Sequence, residues 1–387
     1  MKILFIAGGL WQKAFVSFLK EKGHTVAIVN PVKNATTALA DEHLEVSILE
    51  HDKLRKFAAT FKPDFVTSDQ SDIATTIVSI LSHELGLPCN SPQTVAKFSD
   101  KALMERAARC LRVPTPDTRI VTNVTAVKKF GSDYKYPIII KPLDATMSRG
   151  FRRFDSPADV TTAAVEESLS FSPQRQLVAQ NFVDGDMVTV EGICIDGKHH
   201  TLATSIKTGW FAPGINSGVS YPSNLPHDVM QLVIGYNDRF CNSSGLKMGF
   251  THAEYIINGP KVTLIEIGAR GGGAGIIDKI VPWVSGVNPY ELFHGTITGQ
   301  KVAAPVVKEP RPAFLKYYKA EDVAGCTEAI AEKIRKCAGV VEFQYDFIGK
   351  QYTHDKQDLR HSMGIFVARD DGEMARIVKR VGTMIKG

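Results

Sequence analysis

The first 95 residues alternate strand-like runs with helical patterns, and this alternation constrains the fold more than any other feature of the sequence. Residues 71–86 show one such helical pattern, which ends at Gly86, because glycine commonly terminates a helix. Three short runs are typical of strands: KILFIAGG (2–9), HTVAIVN (24–30) and DFVTSD (64–69). Strands that alternate with helices form parallel sheets. The pattern therefore predicts a Rossmann-like α/β domain over residues 1–95.

The glycines after the first predicted strand do not complete a dinucleotide-binding motif. After Gly8 and Gly9 the sequence continues LWQKAF, without the third glycine of that fingerprint. A structural domain that lends one face to a neighbouring site is therefore favoured over an NAD-binding domain.

From about residue 96 the pattern becomes typical of mixed and antiparallel structure. Residues 98–111 are predicted to form a helix capped by Ser99 or Asp100, and residues 136–142 (YPIIIKP) a buried strand. Together with the segments that follow, they predict a second unit over residues 96–300.

Two longer segments, 176–198 and 249–270, alternate apolar and polar residues. Each contains turn signals of the kind that connect antiparallel strands. These signals are Asp184-Gly185, Asp196-Gly197 and Asn258-Gly259-Pro260. We expect antiparallel strands in both segments.

The remaining sequence predicts a linker and a small third domain. Residues 301–312 are rich in proline and are interpreted as the linker. Residues 313–387 are predicted to be a small C-terminal α/β domain. The last helix is amphipathic, with one apolar face made of Met374, Ile377, Val378, Val381 and Ile385. The fold class is therefore α/β, in a multi-domain α+β arrangement.

Composition narrows the functional class. The chain has 387 residues and a net charge of +5, with no block of lysine or arginine, so neither nucleic acid nor a membrane surface is an expected partner. Its six cysteines form no CxxC pair, which favours reduced thiols and a cytoplasmic location over a zinc site or a disulfide framework. No apolar run is long enough for a transmembrane helix.

Glu254 and Glu266 lie on either side of the Asn258-Gly259-Pro260 turn. A hairpin loop with an odd number of residues would place both carboxylates on the same face, together with His252. The flanking isoleucines favour that loop length over a two-residue loop. Four interpretations follow: a solvated face, an ion pair with Arg270, one carboxyl with a raised pKa, or a metal ion such as Mg²⁺ bound by both.

Two lysines are candidates for binding an anion. Lys141 ends a run of three isoleucines, and an ammonium group at the end of a buried strand needs water or an anion such as phosphate. The side chain is interpreted either as a phosphate ligand or as one that simply extends its ammonium group to solvent. Lys101 starts a predicted helix, where a surface lysine is the simpler interpretation. The loop 143–150 contains Ser148 and Gly150 and has the small residues of a phosphate-covering loop.

The order of these motifs resembles the ATP-grasp superfamily. The motifs are Asp100-Lys101, IIIKP (138–142), the small-residue loop, QNFVDGD (180–186), THAEY (251–255) and LIEIGAR (264–270). The THAE motif followed by LIEIGARGGG resembles the carboxylate–amine ligases, in particular the branch of L-amino acid ligases that make dipeptides. The resemblance is dense over residues 97–300, and it implies an ATP-grasp fold in which about residues 118–190 form a small lobe over the nucleotide.

The resemblance also implies roles for individual residues. Lys101 and Lys141 would bind the phosphates of ATP, the loop with Ser148 would cover them, and the hinge from Gln180 to Val183 would hold adenine, mainly through its backbone.

Glu254 and Glu266 would hold Mg²⁺, with two ions expected and Mn²⁺ able to substitute. Arg270 would bind the transferred phosphoryl group and the later tetrahedral intermediate. The glycine run that follows, including Gly272 and Gly273, would let a substrate approach closely, although a tight structural turn is the alternative. His252 is interpreted either as a base for the amine or as a structural hydrogen-bonding residue.

Three positions depart from the superfamily pattern. Gln180 stands where the hinge usually has an acidic residue, Met187 where an acid would hold the ribose, and Gly268 where a further metal-side residue, often asparagine, is expected. The phosphate loop is also poor in glycine.

The implied activity is ATP-dependent ligation of a carboxylate, of an amino acid, to an amine through an acyl phosphate, with release of ADP and phosphate. The partners would be these small molecules, and a homodimer is the assembly expected from the family. Two alternatives stay open: a carboxylase or nucleotide-precursor synthetase that uses carboxyphosphate or formyl phosphate, and a non-catalytic ATP-binding regulator.

Two further segments carry weaker predictions. Residues 207–226 are rich in glycine, proline, asparagine and serine and are interpreted as a substrate lid or an ordinary surface loop. The pair His199-His200, beside a predicted turn, is expected to be solvated.

Overall fold

The computed structural model describes residues 1–143, 150–345 and 357–386 and contains three sheets in that part of the chain. The N-terminal sheet is parallel, with the strand order β3-β2-β1-β4. Its strands are β1 Lys2–Ile6, β2 Thr25–Val29, β3 Glu42–Leu44 and β4 Phe65–Thr67. Its helices are α1 Lys13–Glu21, α2 His51–Phe61 and α3 Asp72–Glu84. The predicted parallel sheet with alternating helices is confirmed.

Two helices connect this sheet to the rest of the chain: α4 Pro92–Ser99 and α5 Lys101–Cys110. The Asp100 carboxylate caps α5 and accepts hydrogen bonds from the backbone N–H groups of Ala102 and Leu103, at 2.8 and 2.9 Å. Such a cap fixes where a helix begins. It makes Lys101 the first residue of α5, at the helix end that faces the candidate site.

A small antiparallel sheet follows, with the strand order β5-β8-β6-β7. Its strands are β5 Thr118–Val121, β6 Ile138–Pro142, β7 Arg152–Phe154 and β8 Leu177–Asn181. It packs against α6 Val124–Tyr134 and α7 Thr162–Ser170 through an apolar cluster that includes Val127, Phe130 and Leu169.

The central sheet has eight antiparallel strands in the order β13-β12-β9-β10-β11-β14-β16-β15. Five of them precede the proline-rich segment: β9 Asp186–Ile195, β10 Lys198–Ala212, β11 Ile215–Tyr221, β12 Gly249–Asn258 and β13 Lys261–Gly268. Three follow it: β14 Ala313–Tyr318, β15 Val340–Gln344 and β16 Ser362–Val367. The predicted boundaries at residues 300 and 312 therefore divide a sheet that both sides build, whereas the boundary at residue 95 separates the N-terminal sheet from the other two.

The helices that cover the central sheet are α8 His227–Ser243, α9 Val281–Ser285, α10 Pro289–Ile297, α11 Glu328–Arg335 and α12 Asp371–Lys386, with a π-helical turn at Ile276–Ile280. The apolar face predicted for the last helix is present, because Ile377, Val381 and Ile385 are buried. No helix in the ranges that the structure describes is long and apolar enough to cross a membrane.

The hairpin of β12 and β13 differs from its prediction at the turn. Asn258 pairs with Lys261, so the loop has two residues and the predicted odd-length loop is wrong. The pairing shifts by one residue at a bulge between Glu254 and Tyr255. Glu254 pairs with Glu266, whereas Tyr255 pairs with Leu264. One extra residue in a strand shifts every later side chain to the other face, so the bulge brings the two glutamates to one face.

Two other expectations are wrong. Residues 207–221 continue β10 and form β11, so most of the segment interpreted as a lid or surface loop belongs to a hairpin of the central sheet. His199 is buried rather than solvated, with its ring nitrogens 2.7 Å from Asp238 Oδ1 and 2.8 Å from Thr251 Oγ1.

The Asp184-Gly185 turn connects β8 of the small sheet to β9 of the central sheet, so the two strands do not form a hairpin. Gly185 has φ of +139°, which side chains rarely adopt. A Cβ at this position would lie 2.1 Å from the carbonyl oxygen of Ile257. The connection between the two sheets therefore requires glycine here.

We expect Gly185→Ala to lower the free energy of unfolding by about 1–3 kcal/mol, because it strains the backbone and meets a carbonyl group. Urea denaturation would measure the change. The matched control is Gly235→Ala in the middle of α8, where a Cβ meets nothing within 4 Å and alanine should stabilise by about 0.5–1 kcal/mol. Equal stability of the two variants would contradict the account of Gly185.

Candidate active site

Glu254 and Glu266 lie directly opposite each other on β12 and β13, and both side chains are partly buried. Burial alone would raise the pKa of each carboxyl, because it disfavours the charged form. Surrounding cations outweigh burial: the pKa of Glu254 is well below its usual value, and the pKa of Glu266 is also lowered. Both carboxyls are therefore ionised at neutral pH, which is the form that binds a cation.

Lys207 is a cation in direct contact with Glu254. Its Nζ atom lies 2.6 Å from Glu254 Oε1, and only 15% of the lysine side chain is exposed. Lys207 is on β10, in the segment that was predicted to be a loop, so sequence reasoning missed it. The available signal was the alternation of side chains along a strand. Had this segment been interpreted as a strand, the alternation could have placed Lys207 on the same face as the glutamates.

His252 bridges Glu254 and a third carboxylate. Its Nε2 atom lies 3.5 Å from Glu254 Oε1, and its Nδ1 atom lies 2.7 Å from Oε1 of Glu191 on β9, which is fully buried. Burial lowers the pKa of His252, but the two carboxylates outweigh it and raise that pKa to about 9. The imidazole is therefore a cation at neutral pH in this arrangement, which favours the hydrogen-bonding interpretation over the base.

The raised pKa makes stability depend on pH. Protonation of His252 stabilises the fold fully below its ordinary pKa of 6.5, and this contribution is lost as the pH rises through about 9. We expect His252→Gln to be less stable than the parent protein by about 2–3 kcal/mol near pH 6, with a difference that shrinks by pH 9.5. Urea denaturation across this range, without nucleotide or divalent cation, would measure it. A difference independent of pH would contradict the charged bridge.

Lys101 and Lys141 approach the glutamates from α5 and β6. The Lys101 ammonium donates a hydrogen bond to the carbonyl oxygen of Leu143 at 3.3 Å. Burial lowers the pKa of Lys141, although Glu266 opposes the shift. Both lysines in turn lower the pKa of Glu266. The structure therefore brings together the two lysines and the carboxylate pair that the sequence predicted separately.

Arg270 lies two residues beyond the end of β13, and its partner comes from helix α3, which packs against the N-terminal sheet. Its Nε atom lies 3.2 Å from Asp72 Oδ1 at the start of α3, and Nη1 donates to the carbonyl oxygen of Gly271 at 3.2 Å. Burial lowers the pKa of Arg270, but Asp72 and Glu266 outweigh it and raise that pKa. The guanidinium thus stays charged and is held at the edge of the site.

Asp72 also explains the missing side chain at Gly268. A Cβ on Gly268 would lie 2.8 Å from Asp72 Oδ1 and 3.3 Å from Nε of Arg270. The ion pair therefore occupies the space that a larger residue at position 268 would need. Asp72 was not a predicted site residue, because its contact with Arg270 spans 198 positions of the chain.

The glycine run after Arg270 is anchored by a second acid from the N-terminal sheet. The backbone N–H of Gly271 donates to Oδ1 of the buried Asp69 at 2.9 Å. Burial raises the pKa of Asp69 to about 6, although this hydrogen bond opposes the shift. Gly272 is buried and Gly273 is partly buried beside it. Both predicted substrate glycines therefore lie in one loop at the edge of the central sheet.

The predicted adenine hinge lies at the end of β8. The Gln180 side chain is buried and its Nε2 atom donates to Thr118 Oγ1 at 2.9 Å, so it is engaged within the small sheet. Val183 follows the strand and is partly buried, and Met187 lies at the start of β9. Ser148 lies outside the described residues. Contact of the hinge with adenine stays a prediction.

Comparison with known proteins confirms the fold over nearly the whole chain. An L-amino acid ligase from Bacillus licheniformis superimposes with a TM-score of 0.81 at 16% identity, over 99% of this chain and 97% of that one. A carboxyaminoimidazole ribonucleotide synthase from Aspergillus clavatus, complexed with ATP, superimposes with a TM-score of 0.79 at 16% identity, over 100% and 98%.

Sequence comparison finds a relative whose name states a different activity from those of the two structures above. The formate-dependent phosphoribosylglycinamide formyltransferase of Mycobacteroides abscessus is 22% identical over 388 residues, which cover 96% of this chain and 92% of that protein. No protein-family model matches the sequence. The two solved structures confirm the predicted ATP-grasp fold.

Proposed function

We propose that this protein is an ATP-dependent ligase that phosphorylates the carboxylate of an amino acid and couples the resulting acyl phosphate to an amine. The observation that carries the proposal is the opposed pair of ionised glutamates, faced by Lys101 and Lys141 and flanked by Arg270. The carboxylates suit the metal ions of a bound triphosphate. The lysines and the arginine suit its phosphates and the phosphoryl group that is transferred.

The residues present fit Mg²⁺. Carboxylate oxygens are the ligands that this ion prefers, and Glu254 already holds a cation, the Lys207 ammonium, at 2.6 Å. Glu254 and Glu266 would hold the metal, and Lys207 would then be released toward the phosphates. When bound, Mg²⁺ would neutralise charge on the triphosphate.

The chain's own residues would do the remaining work by positioning and by charge. Lys101 and Lys141 would hold the phosphates over the substrate carboxylate. That carboxylate attacks the γ-phosphorus and ADP leaves. The neutral amine then attacks the acyl carbon, and phosphate leaves and takes up the proton that the nitrogen loses. Arg270 would bind oxygens whose negative charge grows in both steps, and such fixed donors are effective because they need no reorganisation.

A second function is favoured by the names of the relatives. The Mycobacteroides abscessus relative is named for formate and the Aspergillus clavatus structure for a carboxylated nucleotide precursor, so formyl phosphate or carboxyphosphate is the competing intermediate. A non-catalytic regulator is disfavoured by the charged set around Glu254 and Glu266. The L-amino acid ligase has the higher TM-score of the two structures compared, and the THAE and LIEIGARGGG motifs of this chain resemble that branch.

A phosphate-release screen with ATP and Mg²⁺ separates these functions. We expect release to depend on one or more amino acids, and hydroxylamine to trap the acyl phosphate as the hydroxamate of the acyl donor. Release that depends on formate or bicarbonate instead would support the second function. The absence of turnover with every carboxylate would support the regulator.

We expect Glu266→Gln to abolish ADP formation, because the variant loses one of the two opposed carboxylates while keeping its shape. ADP release would be measured by a coupled assay, with circular dichroism to verify the fold. Glu291→Gln, which removes a surface carboxylate paired with Lys22, is the matched control. Full turnover by Glu266→Gln would refute the metal assignment.

We expect Arg270→Ala to lower kcat by about 10²–10³, as is typical when a donor to developing negative charge is removed. Steady-state kinetics would measure it, with Arg239→Ala on α8 as the control. An effect confined to KM would indicate that Arg270 only binds substrate.

A further inference from the structure

Glu191 is a buried carboxylate with one oxygen that has no partner. Its Oε1 atom lies 2.7 Å from His252 Nδ1, 3.1 Å from Thr189 Oγ1 and 3.5 Å from the Tyr221 hydroxyl. Its Oε2 atom has no hydrogen-bond partner among the described residues and is fully buried. Leaving a buried charged oxygen unpaired is costly, so a group that occupies it in the working enzyme is expected.

Oε2 faces the glycine loop. A methyl group on Gly272 would come within 2.8 Å of Oε2 and equally close to the side chain of Ile276. Glycine at position 272 therefore lets the loop close over the oxygen without a clash, and Ile276 supplies an apolar wall beside it. One anionic oxygen beside an apolar wall suits a small cationic donor, because hydrogen bonds to an ionised, desolvated acceptor are strong.

The position of Glu191 relates it to the reacting groups. It pairs with His252 across β9 and β12, whereas Glu254 pairs with Thr189 on the same strands. Residues two apart on a strand lie on one face, about 7 Å from each other. A group bound at Oε2 is therefore two residues along the strands from the proposed phosphoryl site, on the side where the Gly272 loop closes it.

We propose that Glu191 Oε2 binds the ammonium group of the amine substrate and accepts one proton from it, so that the neutral amine can attack the acyl phosphate. The amine would accordingly be an aliphatic amine that is charged at neutral pH. This inference rests on the proposed ligase function and assigns its amine subsite. Weakly basic aromatic amines, which are uncharged at neutral pH, gain little from an anionic oxygen. Because the oxygen is closed off by the glycine loop, binding of the amine requires movement of that loop.

The test uses the difference between charged and uncharged nucleophiles. The full-length protein and its Glu191→Gln variant are supplied with ATP, Mg²⁺, hydroxylamine and a pool of the twenty protein amino acids, which serve as acyl donors and as amines. Hydroxylamine is uncharged at neutral pH, whereas the amino groups of the pool are ammonium ions. Mass spectrometry measures hydroxamates and dipeptides in the same reaction.

We expect Glu191→Gln to lower the ratio of dipeptide to hydroxamate at least about tenfold, as for the loss of one charge-assisted hydrogen bond, while hydroxamate formation persists. Tyr221→Phe, which removes the weak contact on Oε1 and keeps the charge, is the matched control and should leave the ratio unchanged. An unchanged ratio in Glu191→Gln, or an equal fall of both products, would overturn the subsite in favour of a structural role.

A second variant keeps the proposal testable if Glu191→Gln does not fold. Gly272→Ala places a methyl group against Oε2 and should lower the same ratio, with the charge of Glu191 intact. An unchanged ratio in Gly272→Ala would count against the subsite. The absence of hydroxamate in the parent protein, with every amino acid, would be a different result that overturns the ligase proposal itself.

Discussion

The site depends on the face-to-face placement of Glu254 and Glu266. Two carboxylates so arranged repel each other, and their desolvation adds to the cost. Cations from separate elements offset both the repulsion and the cost of desolvation. They are Lys207 from the central sheet, Lys101 from α5 and Lys141 from the small sheet. The charge of the pair therefore ties the small sheet to the central one electrostatically.

Local sequence patterns predicted the elements well where periodicity was clear. The parallel N-terminal sheet, the helix capped by Asp100 and the hairpin with both glutamates on one face all appear. The reason for the shared face was misjudged, because a bulge leaves no reliable trace in the alternation of so short a strand. Lys207 was missed because the glycines and prolines around it are typical of loops.

Contacts between residues far apart in the chain could not be predicted from local sequence patterns. Asp69 and Asp72 follow a strand of the N-terminal sheet, and nothing in their neighbourhood indicates that they would anchor Gly271 and Arg270, about two hundred positions away. These two contacts give the N-terminal sheet a part in shaping the site even though it lacks a complete dinucleotide motif. Sequence patterns report periodicity within an element, whereas the pairing of distant elements depends on how whole sheets pack.

The proline-rich segment at residues 301–312 marks a boundary in the sequence but not in the sheet. Strand β14, which follows it, pairs with β11, which precedes it, from Ala313–Tyr221 to Lys316–Gly218. A fragment cut at this segment would leave the backbone of β11 as an open edge, ready to pair with another chain. Anyone who dissects this protein into smaller parts, or grafts its C-terminal segment onto a relative, is thus exchanging three strands of one continuous sheet.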